Sequence, residues 1–93
     1  MISQHDATAI RIAEKYGVEF NRGPGPDVIT PNMDIEVETV ESVSDAFRYI
    51  RSRKPVYVAG VDDFTTRVAL QLTHDYTIGV MDQDGNIRRH STR

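Results

Sequence analysis

The segment Pro55-Val56-Tyr57-Val58-Ala59-Gly60-Val61 decides the fold, because it is an almost unbroken apolar run of strand length. Such a composition is typical of a strand that is covered on both faces of a sheet. Asp62 follows directly and is suited to cap a helix in which Phe64, Val68 and Leu72 share one side. The segment therefore predicts a central strand followed by a helix that packs on it.

The residues before this segment predict a strand and then a helix. Acidic and apolar residues alternate from Asp34 to Val40, and this period of two is typical of a strand. Ser42, with Asp45 three positions later, resembles a helix-opening pattern. An apolar stripe then predicts the buried side of that second helix: Val43, Ala46, Phe47 and Ile50.

The outer parts of the chain complete an α-β-β-β-α-β-α-β order, with a final β-strand at 86–89. A helix is predicted from Ser3 to Gly17, and short strands are predicted at 18–21, 27–30 and 77–81. Two strand–helix–strand units between residues 34 and 81 require parallel pairing with right-handed crossovers, whereas the short links before them favour antiparallel pairing. We therefore expect an α/β fold with a mixed sheet flanked by helices.

The composition limits the kind of protein. A chain of 93 residues predicts one domain, and its small core makes a homodimer a reasonable expectation. The absence of cysteine excludes disulfides and thiolate metal sites. A net charge of −3 argues against a nucleic-acid coat protein that binds by charge alone. The sequence has no apolar run of membrane-spanning length, so we expect a cytoplasmic protein without a membrane partner.

Acidic residues are the main candidates for chemistry. In the strand from Asp34 to Val40, residues 34, 36 and 38 project to one face, either as a solvated face or as a row of charges that needs a cation, a base or water. Asp27 begins the neighbouring strand, where it is either a turn aspartate or a partner of Glu36 and Glu38. An oxygen-only cluster of this kind suits magnesium or manganese.

The stretch Gly25-Pro26-Asp27-Val28-Ile29, followed by Asp34-Ile35-Glu36-Val37-Glu38, resembles the PD-(D/E)XK nuclease superfamily. Members of that superfamily carry an aspartate on one strand and an acid-x-lysine on the next, within an αβββαβ core. The resemblance is greatest to the small archaeal Holliday-junction-resolvase-like members, and it implies a restriction-endonuclease-like fold. Glu38 stands where lysine is usual, as it does in some restriction endonucleases of the superfamily.

This resemblance implies a metal-dependent DNA endonuclease with Asp27, Glu36 and Glu38 as catalytic residues. Asp27 and Glu36 would hold Mg²⁺ or Mn²⁺, with the Val37 carbonyl as a further ligand, and Glu38 would position or deprotonate the attacking water. The resemblance also places Asp6 or His5 near the acid that related enzymes carry on the first helix. By sequence spacing alone the histidines, including His5, show no ligand pattern and are expected on the surface.

Three arginines are candidates for substrate binding. Arg22 precedes the Gly-Pro loop and is either a phosphate contact or an ordinary surface arginine. Arg48 and Arg51 form either a DNA-backbone-binding edge or the solvated side of the second helix.

An alternative function is a non-catalytic nuclease-fold module that serves as a dimerisation or scaffold partner. Glu38 in place of lysine and the net negative charge favour it. The two hypotheses differ in what they predict for the acids. The enzyme requires Asp27 and Glu36 to share one pocket, whereas the scaffold places Glu36 and Glu38 against solvent or against Arg48 or Arg51.

Overall fold

A computed structural model describes residues 1–49 and 52–93 of the chain. The helices are α1 (Gln4–Lys15), a 3₁₀ helix (Val43–Tyr49) and α2 (Asp63–Leu72). The strands are β1 (Val28–Ile29), β2 (Asp34–Glu38), β3 (Val56–Gly60), β4 (Gly79–Met81) and β5 (Ile87–Arg89). Among these described residues no helix is long and apolar enough to span a membrane.

The five strands form one sheet in their chain order, with β3 in the centre as its apolar composition predicts. β1 pairs antiparallel with β2, β2 and β4 pair parallel with β3, and β5 returns antiparallel to β4. The crossover from β2 to β3 contains the 3₁₀ helix, and the crossover from β3 to β4 contains α2. Both crossovers run in the same direction across the sheet, and parallel crossovers are right-handed, so the two helices lie on the same face. An apolar cluster forms there, and α1 packs on a second cluster on the opposite face. The predicted α/β fold with a mixed, helix-flanked sheet is confirmed.

The strand predicted at 18–21 is reduced to a single bridge between Phe20 and Val28. Extending this antiparallel register by two residues would pair Arg22 with Pro26. Proline has no amide hydrogen to donate, so the ladder ends at this point. The Asn21 side chain instead donates hydrogen bonds to the carbonyls of Pro24 and Pro26 and holds the loop in place.

The second predicted helix is 3₁₀ rather than α, and Ile50, at its predicted end, lies outside the described residues. Ser42 enters it through a tight turn, in which its amide donates to the Thr39 carbonyl and its hydroxyl accepts from the Thr39 amide. A 3₁₀ helix has about three residues per turn. Ser42, Asp45 and Arg48 therefore follow one another on a single side.

The predicted buried side of α2 is wrong. Phe64 and Leu72 are 56% and 47% exposed, and the buried positions are Thr65, Thr66 and Ala69. The reason is close packing against β3, because a Cβ added to Gly60 would lie 2.6 Å from the backbone nitrogen of Thr66. Small side chains let the helix approach this closely, and the larger apolar residues remain outside.

We expect Gly60→Ala to destabilise the protein by about 1–3 kcal/mol, because the new methyl group meets backbone atoms of α2 that must shift to admit it. Urea unfolding measures the loss. Gly23→Ala is the matched control, since the nearest atom to its added Cβ is Asn21 Oδ1 at an ordinary 3.5 Å. Equal unfolding midpoints for the two variants would contradict the close packing of α2 on β3.

Candidate metal centre

The pairing of β1 with β2 brings Asp27, which directly precedes β1, close to the acidic residues of β2. Val28 lies opposite Ile35, and Ile29 lies opposite Asp34. Extending the same register by one residue places Asp27 opposite Glu36, and directly opposed residues have Cβ atoms about 5 Å apart. Glu38 lies two residues further along β2 and projects to the same face as Glu36.

Asp27, Glu36 and Glu38 each offer a carboxylate oxygen, and these three atoms lie within 4.8 Å of one another. The two glutamates are buried, at 3% and 5% exposed. Within residues 1–49 and 52–93, the Oε2 atoms of Glu36 and Glu38 have no hydrogen-bond partner. A buried oxygen without a hydrogen bond is costly in free energy, and the exposed Arg48, 3.6 Å from Glu36 Oε2, offsets this cost only in part, so the cluster has capacity to bind a cation.

Burial raises the pKa of Glu36 to about 8, and the Asp27 carboxyl beside it and the charge of Glu38 act in the same direction. Burial likewise raises the pKa of Glu38 to about 7, although a hydrogen bond from Ser42 partly opposes the change. Arg48 lowers the pKa of both glutamates without cancelling these effects. Without a cation, the site therefore favours a protonated Glu36 near neutral pH, with Glu38 protonated in part.

Two contacts hold the Asp27 side chain. Its Oδ2 atom accepts a hydrogen bond from the Val37 amide at 2.9 Å and lies 3.2 Å from His5 Nε2. Both contacts involve Oδ2, and Oδ1 takes part in neither of them. The N–H and C=O of a strand residue point to the same side, and the Val37 carbonyl therefore faces the same edge of β2 as Asp27. The Val37 carbonyl as a metal ligand stays a prediction.

The other acid of the strand does not join the cluster. Asp34 lies 2.7 Å from Lys54 Nζ and accepts a hydrogen bond from the Ser52 hydroxyl, so a cation of the chain already pairs with it. Of the alternating acids on β2, only Glu36 and Glu38 take part in the candidate metal centre.

The predicted substrate-binding arginines differ in their relation to the site. Arg48 is 62% exposed, and its Nη2 lies 3.6 Å from Glu36 Oε2. Arg22 is exposed, with its guanidinium 4.8 Å from the centre of the Phe20 ring. Arg51 lies outside the described residues. Arg48 is thus the arginine that the structure places next to the carboxylates.

Several residues near the site were not assigned to it by spacing. The spacing of the histidines predicts a surface position for His5, whereas the family resemblance names Asp6 or His5 on the first helix; His5 is partly buried and contacts Asp27. Asp45 and Tyr49 of the 3₁₀ helix interact electrostatically with Glu38 and Glu36, respectively. Ser42, Asp45 and Arg48 are spaced three residues apart. This spacing predicts a shared helix side near the glutamates only for a 3₁₀ helix, and the sequence predicts an α-helix.

Comparisons of the chain with models of known protein families, with curated proteins and with solved structures found no match. Function is therefore inferred from the geometry and chemistry of Asp27, Glu36 and Glu38.

Proposed function

We propose that this protein is a metal-dependent DNA endonuclease that hydrolyses phosphodiester bonds, related to the PD-(D/E)XK superfamily that its sequence resembles. One observation carries the proposal: three carboxylates, one directly before β1 and two on β2, converge in a largely buried cluster, and the Oε2 atoms of both glutamates have no hydrogen-bond partner among the described residues. Asp27 and Glu36 would bind Mg²⁺ or Mn²⁺ together with the Val37 carbonyl. The proposal places the enzyme in the cytoplasm.

The donor set fits these ions. Magnesium binds oxygen at about 2.1 Å, so ligands on one ion lie about 3 Å apart when adjacent and about 4 Å apart when opposite. The cluster, with its oxygens within 4.8 Å of one another, needs only small side-chain rotations to reach these separations. An all-oxygen set also favours hard cations over zinc or copper.

The side chains around the cluster are suited to the remaining steps. The bound ion supplies a more acidic water and neutralises charge on the phosphate. Glu38, with its pKa raised to about 7, is suited to accept a proton from that water near neutral pH. Arg48 extends into solvent beside Glu36, so its guanidinium is available to donate hydrogen bonds to a phosphate oxygen.

The test is cleavage of plasmid and branched DNA with Mg²⁺ or Mn²⁺. We expect Asp27→Asn to reduce the rate at least 100-fold, because the variant loses a charged ligand of the ion. Asp75→Asn removes a fully exposed carboxylate and serves as the control that retains activity. Undiminished cleavage by Asp27→Asn, or no cleavage by the wild-type protein, would contradict the proposal.

A second candidate function is a non-catalytic scaffold or dimerisation module. The position of Arg48 favours it, because a guanidinium 3.6 Å from Glu36 Oε2 partly neutralises the cluster without a metal. A homodimer belongs to both proposals, and sedimentation velocity measures it. A dimeric protein that binds no Mn²⁺ and cleaves no DNA would favour the scaffold over the enzyme.

A further inference from the structure

His5 connects the first helix to the candidate metal centre. Helix α1 packs on the sheet face opposite to that of Glu36 and Glu38, yet the His5 side chain in its first turn reaches Asp27. His5 Nδ1 lies 2.9 Å from Asp6 Oδ1, and Nε2 lies 3.2 Å from Asp27 Oδ2. The chain Asp6–His5–Asp27 ends at the predicted metal ligand.

We propose that His5 is a positioning residue that holds the Asp27 carboxylate in the orientation needed to bind the ion; this inference rests on the proposed function. An aspartate side chain rotates about two bonds, and a single contact from the Val37 amide to Oδ2 leaves one of these rotations free. His5 contacts Oδ2 as well, so the two contacts together restrict both rotations. Oδ1 takes part in neither contact. Outer donors of this kind typically contribute about 10–100-fold to metal affinity.

His5 is itself held in place from two sides. Asp6 anchors Nδ1, and the Phe20 ring lies edge-on with its centre 6.3 Å from the centre of the imidazole. Burial opposes protonation of His5, but the two carboxylates that its ring nitrogens face raise the pKa of the imidazole, and the protonated ring carries a positive charge. That charge repels a cation, whereas the orientation of Asp27 favours one. The two effects on metal affinity have opposite signs and require variants that separate them.

Glutamine and asparagine at position 5 separate these effects. A glutamine amide nitrogen reaches about as far as Nε2, so His5→Gln retains a donor to Asp27 without the positive charge. An asparagine amide nitrogen reaches only about as far as Nδ1, so His5→Asn retains the contact with Asp6 and loses the one with Asp27. If orientation dominates, His5→Gln binds metal well and His5→Asn does not.

The chain also contains a matched control. His74 and Asp75 repeat the His-Asp pair, with the same 2.9 Å separation between Nδ1 and Oδ1, but they are 78% and 88% exposed. None of the described metal-candidate carboxylates belongs to this pair. His74→Ala therefore removes an equivalent histidine without touching the candidate metal centre.

The experiment measures Mn²⁺ affinity by isothermal titration calorimetry, together with the Val37 amide resonance and the melting temperature of the metal-free protein. We expect about 10–100-fold weaker binding for His5→Ala and His5→Asn. His5→Gln is expected to bind within about threefold of wild type or more tightly, and His74→Ala to bind unchanged. The Val37 amide donates directly to Asp27, so His5→Ala should shift its resonance even without metal.

The possible failures differ from one another. Wild-type affinity in His5→Ala, or equal affinities for His5→Asn and His5→Gln, would overturn the role of His5 and leave the metal site standing. Absence of Mn²⁺ binding by the wild-type protein would overturn the proposed function and this inference with it. Weak binding that coincides with a lower melting temperature in all three His5 variants would show a structural role only, and would also overturn the inference.

Discussion

Replacement of Glu36 by glutamine is expected to weaken Mn²⁺ or Mg²⁺ binding at least 100-fold and, at the same time, to stabilise the metal-free protein at pH 8. Metal affinity falls because an amide is a neutral and weaker ligand than a carboxylate. Stability rises because burial raises the pKa of Glu36 to about 8, so the folded metal-free protein disfavours the charged side chain that glutamine replaces. Calorimetry measures the first effect, and thermal unfolding measures the second.

The increase in melting temperature should be about 5 °C or more, which corresponds to about 1 kcal/mol for a chain of this size. Asp34→Asn is a stringent control, because Asp34 lies on the same strand and face but pairs with Lys54. That variant should leave the metal affinity unchanged and lower the stability, since it removes the buried partner of the half-buried Lys54. A Glu36→Gln protein that loses both metal affinity and stability would indicate damage to the fold rather than loss of a ligand.

The sequence predicts those parts of the fold that depend on local pattern. Alternating acids and apolar residues identified β2, and the apolar run from Val56 identified the central strand. The same alternation placed Glu36 and Glu38 on one face. The convergence of these glutamates with Asp27 is one of the two alternatives that the sequence leaves open for Asp27, because a short turn between antiparallel strands leaves few registers.

Features that depend on contacts between distant residues were not predictable in this way. The buried face of α2 is set by its approach to Gly60, and this close contact does not appear in the helical pattern of Phe64 and Leu72. His5 lies 22 positions from Asp27, and its role depends on how α1 sits on the sheet. The alternating pattern does not distinguish Asp34 from Glu36 as a metal ligand, whereas in the structure Asp34 pairs with Lys54.

The metal-free protein is expected to lose stability as the pH rises from about 4.5 to about 8, and a divalent cation is expected to restore it. Below pH 4.5, Glu36 and Glu38 are protonated in both folded and unfolded chains. Between pH 4.5 and 8 the unfolded chain releases these protons more readily than the folded one, since the folded pKa values are about 8 and about 7. The folded state therefore binds more protons in this window, and the free energy of unfolding falls with rising pH.

The decrease should amount to several kcal/mol over this window, which is a large part of the stability of a small domain. His5 acts in the same direction: burial opposes it, but Asp6 and Asp27 raise the pKa of this imidazole, so its contribution also declines as the pH rises. A double variant, Glu36→Gln with Glu38→Gln, isolates the glutamates. Urea unfolding at several pH values should show a much flatter dependence for the variant than for the wild-type protein.

Metal binding supplies the second half of this prediction. The ion requires deprotonated carboxylates, so binding should release between one and two protons near pH 7 and should become tighter as the pH rises. Calorimetry in buffers with different ionisation enthalpies measures the number of protons released. At pH 8 with saturating Mn²⁺, the wild-type protein should regain the stability that it lost, while the double variant should gain nothing. If the stability of the metal-free wild-type protein is constant from pH 5 to 8, ionisation of the two glutamates does not destabilise the folded state. Neutralisation of these carboxylates by a cation would then give no gain in stability.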